Sequence, residues 1–175
     1  MKNILRMTLA ASVAAMTLAS TPASAAPVGA TTPATATAKI VKPLTLTATG
    51  TLDFATILIP SGGVTATRTI KVSAGNVRDC AGSNPEVVCS GTTSVPTYNV
   101  KGTNKMVVNI IKTASSLTGS NGGTLAFRPT GQATATLPNS GNTGVDFQIG
   151  GDIDIVPATV DGTYSGNIDV TVDYP

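Results

Sequence analysis

The sequence contains no histidine and no tryptophan, and aromatic residues make up only 3% of its 175 residues. Without histidine the chain has no imidazole base, cannot form a Ser-His-Asp triad and lacks the usual nitrogen ligand of zinc sites. Charged residues are also scarce, at 11%. These absences argue against catalysis, so we expect a protein that is not an enzyme and that carries no cofactor.

The first 25 residues have the pattern of a secretory signal peptide. Lys2 and Arg6 precede an apolar run from Met7 to Ala19, and Ala23-Ser24-Ala25 is a small-residue cleavage motif. This run is too short to cross a bilayer, and no later run is long enough, so we expect no membrane span. We expect export through the Sec pathway, with the periplasm in transit and then the cell surface, a fimbrium or the medium as destination.

Removal of this segment leaves a chain with almost no net charge. Two of the 11 Lys and Arg lie in it, which leaves nine basic side chains against nine Asp and Glu. A balanced charge gives no electrostatic attraction to nucleic acid or to anionic lipid. We therefore expect neither as a partner.

The rest of the chain is built from short alternating runs separated by turn residues. Examples are residues 34–41, which stop at a break at Lys42-Pro43, and residues 168–174. Residues 105–112 carry apolar side chains on both faces, as central strands do, and Gly150-Gly151 predicts a bulge or bend. Eight to ten such strands without a helical period predict an all-β fold, an antiparallel β-sandwich. We expect a flexible extension over 26–37 and one domain over 38–175.

Cys80 and Cys89 are the two cysteines of the chain. In an exported protein they favour a disulfide, which would close a small loop and contribute roughly 2–3 kcal/mol. A redox pair is the alternative, but it usually has a C-x-x-C spacing that is not found here.

Other candidate sites are weak. Asp152 and Asp154 form a D-x-D that could hold Ca²⁺ or act as an acid and base pair, but it also fits the solvent face of a strand whose inner face is Ile153 and Ile155. Tyr164 and Tyr174 could stack on sugars or simply pack. We expect no catalytic residue and no metal site.

Several short motifs together resemble a known group of secreted domains. Residues 162–174 begin with a glycine, continue as an alternating strand and end with Tyr174, the penultimate residue of the given sequence. Residues 52–57 resemble the L-x-F-G strand start of pilins, with Ala55 where glycine is usual. With the Thr/Ala alternation near the N-terminus and the stretches 98–102 and 145–151, nearly the whole exported chain is similar to chaperone–usher pilins and spore-coat-protein-U-like domains. The chain therefore resembles an uncharacterised family of bacterial secreted domains related to those proteins.

The resemblance implies an Ig-like, pilin-like sandwich that lacks its final strand. The C-terminal strand would border an open groove, with Gly162, Ile168, Val170, Val172 and Tyr174 along it. An N-terminal donor strand from a neighbouring copy or related subunit would fill the groove through Ala34, Ala36, Ala38 and Ile40. Such subunits use a periplasmic chaperone and an outer-membrane usher, and they build fibres for adhesion or biofilm. Many pilins link their first strand to a later one by a disulfide, whereas both cysteines here lie in one loop.

Two alternatives remain at this point. Ile40, Leu44 and Leu46 could fill the groove in a shifted register, because alanine side chains bury little area. The N-terminal segment could also fold back on its own C-terminal strand, which would give a self-complemented monomeric surface protein or a tip adhesin that binds a ligand.

Overall fold

The computed structural model describes residues 27–29, 32 and 34–175. The expected signal peptide and its cleavage motif lie outside the described residues. Residues Lys39–Pro175 form one compact unit. It contains β1 (Thr45–Thr49), β2 (Thr56–Leu58), β3 (Arg68–Val72), β4 (Arg78–Cys80), β5 (Val88–Ser90), β6 (Thr97–Lys101), β7 (Val107–Thr113), β8 (Ser115–Gly119), β9 (Thr124–Thr130), β10 (Thr134–Thr136), β11 (Val145–Gln148), β12 (Gly150–Ile155), β13 (Tyr164–Ser165) and β14 (Asp169–Asp173).

The strands form antiparallel sheets in two layers, and the prediction of an all-β antiparallel sandwich is confirmed. The smaller layer has the order β1-β6-β11 and is continued by the pair β2-β5. The larger layer combines the sheet β13-β8-β9-β12-β3-β4 with the sheet β10-β7-β14. Helical structure among the described residues is limited to one 3-10 turn, Ala81–Ser83.

In each layer, two strands follow one another along a bent line, and the strands paired with them form one edge of that layer. In the larger layer only Ala114 separates β7 from β8, so β14, which pairs with β7, and β13, which pairs with β8, follow the same edge. In the smaller layer β1 pairs with β6 and β2 with β5, and the bridge between Asp53 and Ser94 joins the two pairs. The strands β1 and β2 therefore form the facing edge.

The side chains between the layers form two apolar clusters. The first cluster contains Phe54, Val64, Ile70, Val72, Val87, Leu125, Phe127, Ile153 and Ile155. The second contains Tyr98, Val100, Val108, Ile110, Ala135, Leu137, Phe147 and Ile149. Ile168 packs against both clusters and so connects them along the C-terminal edge.

The predicted disulfide is confirmed, and it joins the two layers. Cys80 ends β4, the last strand of the larger layer, and Cys89 lies in β5 of the smaller layer. Since β5 is the strand paired with β2, the disulfide fixes the position of β2 relative to the larger layer.

Gly150 and Gly151 form the bend that the sequence predicts. The chain leaves β11 in the smaller layer and enters β12 in the larger one at this point. A Cβ atom on Gly150 would overlap the carbonyl oxygen of Val72, and one on Gly151 would overlap the ring of Phe127. Glycine is therefore needed here for close approach.

Two strand predictions have opposite outcomes. The expected central strand is confirmed, because β7 lies between β10 and β14. The strand expected over residues 34–41 is wrong for this structure, since those residues have no ladder partner in the described chain and no strand is formed. An alternating sequence becomes a strand only where another strand supplies its hydrogen bonds.

Asp154 faces away from the core and takes part in a structural ion pair. Ile153 and Ile155 are 3% exposed, so their expected inward orientation is confirmed. Asp154 accepts hydrogen bonds from Arg128 at 2.6 and 2.8 Å and from Thr69 Oγ1 at 2.8 Å. The hydrogen bonds from Arg128 are the main reason that the pKa of Asp154 lies below its usual value.

This ion pair predicts acid sensitivity. A carboxylate with a lowered folded-state pKa stabilises the fold above its unfolded pKa of about 3.9, and that contribution is lost as the pH falls through the folded-state value. Asp154→Asn should reduce the free energy of unfolding at pH 7 by about 1 kcal/mol, since Arg128 is half-exposed and the pair is partly screened. The difference should disappear in strong acid. Urea titrations across pH would check this, with Asp152→Asn on the same face as the control. Equal acid profiles for the two variants would contradict it.

Candidate functional site

A groove runs between the two facing edges of the sandwich. Its cavity volume is about 700 Å³, and its two walls are residues 48–59 and residues 159–168. Both walls belong to edge strands, since β1 and β2 pair only with β6 and β5, and β13 and β14 pair only with β8 and β7, within the described chain. We call this feature the edge groove.

The floor of the edge groove is apolar. Its lining includes side chains of the first cluster and their neighbours, namely Phe54, Leu117, Leu125, Phe127, Ile153 and Ile155. The backbone groups on the outer sides of both walls have no strand partner in the described residues. A ligand that offers apolar side chains and strand hydrogen bonds together would satisfy both surfaces, and an extended peptide has this chemistry.

The N-terminal wall owes its shape to an Asp-centred turn. Asp53 exchanges backbone hydrogen bonds with Ser94, and its carboxylate accepts one from the N–H of Ala55 at 2.8 Å. Ala55 has φ 60°, the left-handed region that favours glycine. After this turn the chain enters β2, which places Ile57 in the groove and Leu58 on the outer surface.

The C-terminal wall is fixed to the turn between β8 and β9. Ser120 Oγ accepts a hydrogen bond from the N–H of Thr163 at 3.1 Å, and the N–H of Ser120 donates to the carbonyl of Thr163 at 2.9 Å. Gly162 has φ 147°, and a Cβ atom there would be 2.9 Å from Ser120 Oγ. The hydroxyl of Tyr164 donates to the carbonyl of Val160 at 2.6 Å. The wall is thus held by Ser120, which directly follows Gly119, the β8 residue paired with Tyr164, and by the Tyr164–Val160 hydrogen bond within the wall itself.

Beyond the edge groove the two edges are closed by a hydrogen-bonded cluster that we call the Tyr174 latch. The hydroxyl of Tyr174 donates to the carbonyl of Lys42 at 2.8 Å and accepts from the N–H of Thr103 at 2.7 Å. The N–H of Lys42 donates to Thr103 Oγ1 at 2.6 Å. Leu44 and Leu46 pack on the second cluster at the same end. The hydroxyl of Tyr174 is therefore used inside the domain.

The expected groove residues fall into two groups. Gly162 and Ile168 line the edge groove. Val170, Val172 and Tyr174 do not line it, and they pack instead on the second cluster at the closed end. Tyr164, one of the two tyrosines considered as sugar platforms, lines the groove and is partly buried against the first cluster.

The expected donor residues are exposed. Ala34, Ala36 and Ala38 are exposed and lie outside any strand. Ile40 is 89% exposed, which is unusual for an isoleucine. Its neighbour Val41 is 44% exposed.

The sequence does not predict that residues 48–59 form a groove wall. A signal was present in Leu52-Asp53-Phe54-Ala55, where an Asp side chain can cap a turn two residues on. The turn at Asp53 does not show that the following strand, β2, lies at the edge of a sheet, because the position of a strand in a sheet depends on its pairing with strands distant in sequence.

Metal and membrane features are limited in the described part of the chain. No three His, Cys, Asp or Glu side chains lie together there in a way that could hold a metal ion. None of its helices has the length and apolar character needed to cross a bilayer.

Comparisons with known proteins give one family. Neither the curated proteins nor the solved structures include a match to the chain. A family model described as "Domain of unknown function (DUF4402)" matches residues 44–174, which is the described sandwich from just before β1 to Tyr174. The prediction of a family of uncharacterised function is confirmed. The chain belongs to the DUF4402 family.

Proposed function

We propose that this protein is a structural subunit of a surface fibre that assembles by donor-strand complementation. The observation that carries the proposal is the edge groove, which has an apolar floor between two sheet edges whose free sides have no strand partner among the described residues. An added strand would pair with the edge backbone and cover the lining side chains that are only partly buried, such as Leu52, Ile57 and Leu117.

The N-terminal segment of a neighbouring copy has the chemistry of that added strand. Ile40 is almost fully exposed in the lone chain, and burial of an isoleucine side chain is worth about 1.5–3 kcal/mol. Ala34, Ala36 and Ala38 follow the same alternation and would contribute less. Ile40 is thus the main apolar contact of the proposed donor.

A donor fixed to one copy and a groove on the next make a head-to-tail contact. Contacts of this kind generate open filaments unless the rotation between copies closes a ring. By resemblance to pilins, a periplasmic chaperone would cover the groove before assembly and an outer-membrane usher would direct polymerisation. The destination of such a fibre is the cell surface, where it would serve adhesion or biofilm formation.

A self-complemented surface protein is the second candidate, and one observation favours it. Leu44 and Leu46 already pack within their own domain, on the second cluster. The part of the N-terminal region after Lys42 therefore contributes to its own fold. In this candidate the edge groove would bind a ligand that is not a copy of the chain.

Substitutions at adjacent residues of β2 test the proposal. Ile57 lines the edge groove, whereas Leu58 is 51% exposed on the outer face. Ile57→Asn should abolish high-mass assemblies of the exported protein, because the apolar side chains of the donor would then pack against a polar side chain in the groove. Leu58→Asn should assemble like the wild type. Light scattering after size-exclusion chromatography gives the mass, and circular dichroism confirms that both variants are folded.

The pair of variants distinguishes the two candidates. Equal assembly of the two folded variants would show that the groove is not the contact between copies. A wild-type protein that stays monomeric at every concentration would favour the self-complemented protein.

A further inference from the structure

We infer that the Tyr174 latch prevents the N-terminal segment from entering its own edge groove, so that the groove is filled by the segment of a second copy. This inference rests on the proposed function and concerns the choice between filling within one chain and filling between chains. Three features of the described structure support it: the hydrogen bonds of Lys42, its distance from the groove, and the sequence that precedes it.

Lys42 is held through both of its backbone groups. Its carbonyl accepts the hydroxyl of Tyr174, and its N–H donates to the side chain of Thr103. Pro43 follows, and a residue before proline is restricted to extended conformations. The chain therefore cannot reverse at Lys42 without loss of the latch.

The latch lies well away from the groove. Along the N-terminal edge the groove lining begins at Ala48, six residues after Lys42, and along the C-terminal edge it ends at Ile168, six residues before Tyr174. Six residues of strand span about 20 Å. A segment that precedes Lys42 must turn back and run this distance along the outer edge of β1 before it can reach its own groove.

The segment before the latch has a sequence that disfavours such a turn. Residues 34–42 read Ala-Thr-Ala-Thr-Ala-Lys-Ile-Val-Lys and contain no glycine, asparagine, aspartate or proline. Tight turns depend on those residue types, while threonine, isoleucine and valine favour extended chain. The segment should stay extended ahead of Lys42, where the groove of another copy can receive it.

An inserted turn tests the inference. We would insert Asn-Gly between Val41 and Lys42 in the exported protein, because this pair forms two-residue hairpin turns. The matched control inserts Thr-Thr at the same place, which adds the same length without a turn. Tyr174→Phe is a second variant that keeps the ring and removes the hydrogen bonds of the hydroxyl to Lys42 and Thr103.

Two measurements are made on each protein. Light scattering reports whether it is monomeric or assembled. Limited trypsin digestion reports whether Lys39, which is exposed in the lone chain, is protected inside a groove. We expect the wild type and the Thr-Thr insertion to assemble with Lys39 protected. The Asn-Gly insertion should lose assembly yet keep protection, and Tyr174→Phe should shift toward protected monomers.

The failures are distinguishable. Assemblies of the Asn-Gly variant equal to those of its control would overturn the latch inference alone. A wild-type monomer with Lys39 protected would show that the segment fills its own groove, and both the latch inference and the fibre proposal would fail. A wild-type protein in which trypsin removes the segment readily would show that no groove holds it, and the proposed function itself would fail.

Discussion

Deletion of residues 26–41 should abolish self-association and leave the remaining domain folded. The described residues of this range form no strand, and the first residues with clear packing roles are Leu44 and Leu46. The deletion removes Ile40 and the rest of the donor but keeps Lys42 and its latch. The truncated chain should therefore be a monomer with a β-type circular dichroism spectrum and a cooperative thermal transition.

A longer deletion provides the contrasting result. Removal of residues 26–47 also takes Leu44, Leu46 and Lys42 from the closed end of the sandwich. Loss of two partly buried leucines, at up to about 1.5–3 kcal/mol each, is a large share of the 5–15 kcal/mol that stabilises a typical domain. This chain should be mostly unfolded. If the shorter deletion also unfolds the protein, the N-terminal segment belongs to its own domain and fibre assembly is rejected.

The shorter deletion also allows a direct binding test. A synthetic peptide of residues 34–42 should raise the melting temperature of the truncated domain, since a ligand that binds only the native state stabilises it. The same peptide with alanine in place of Ile40 should do so much less. Equal effects of the two peptides would show that Ile40 is not the main contact.

The sequence was sufficient to predict the fold class and several local features. Period-two alternation and turn residues gave the strands, as in β14, and a glycine pair gave the bend at Gly150. The disulfide followed from the expected export and the presence of two cysteines. These features depend on neighbouring residues, so the sequence carries them directly.

The edge groove could be predicted only in part. Gly162 and Ile168 were expected along it and do line it, but the opposite wall around Phe54 was not foreseen. The sequence did not predict that Tyr174 would close the sandwich by binding Lys42, 132 residues away. Alternation shows which side chains share a face, but the partner of an edge strand depends on pairing between distant residues.

This dependence on distant pairing also explains why residues 34–41 were predicted to form a strand and do not form one in the described chain. Their alternation is as regular as that of β14. Residues 34–41 have no ladder partner in the described chain, whereas β14 pairs with β7 over five residues. An alternating sequence shows that a segment is able to pair as a strand, but it does not show which strand is its partner. Under the proposed function, the missing partner of this segment is another molecule.

Phe127 should be a highly sensitive position of the core. Its side chain is 1% exposed, its ring packs edge-on against Phe54 at a centroid distance of 6.4 Å, and it forms part of the groove floor. Phe127→Ala should reduce the free energy of unfolding by about 3–5 kcal/mol, as large-to-small core substitutions do. Chemical denaturation would measure the loss, and a value below that of typical surface substitutions would contradict it.

The contact between Phe127 and Gly151 makes a sharper test. A Cβ atom at Gly151 overlaps the Phe127 ring, so Gly151→Ala should cost about 1–3 kcal/mol by overpacking. Phe127→Leu shortens the side chain that blocks the new methyl group. The double variant should therefore lose less stability than the sum of the losses in the two single variants.

Gly75→Ala is the control, because a Cβ atom there would have only Ser73 Oγ nearby, at 3.8 Å. Its loss of stability should simply add to that of Phe127→Leu. If the stability losses of Gly151→Ala and Phe127→Leu were also additive, contact with the Phe127 ring would not be the reason that glycine is needed at position 151.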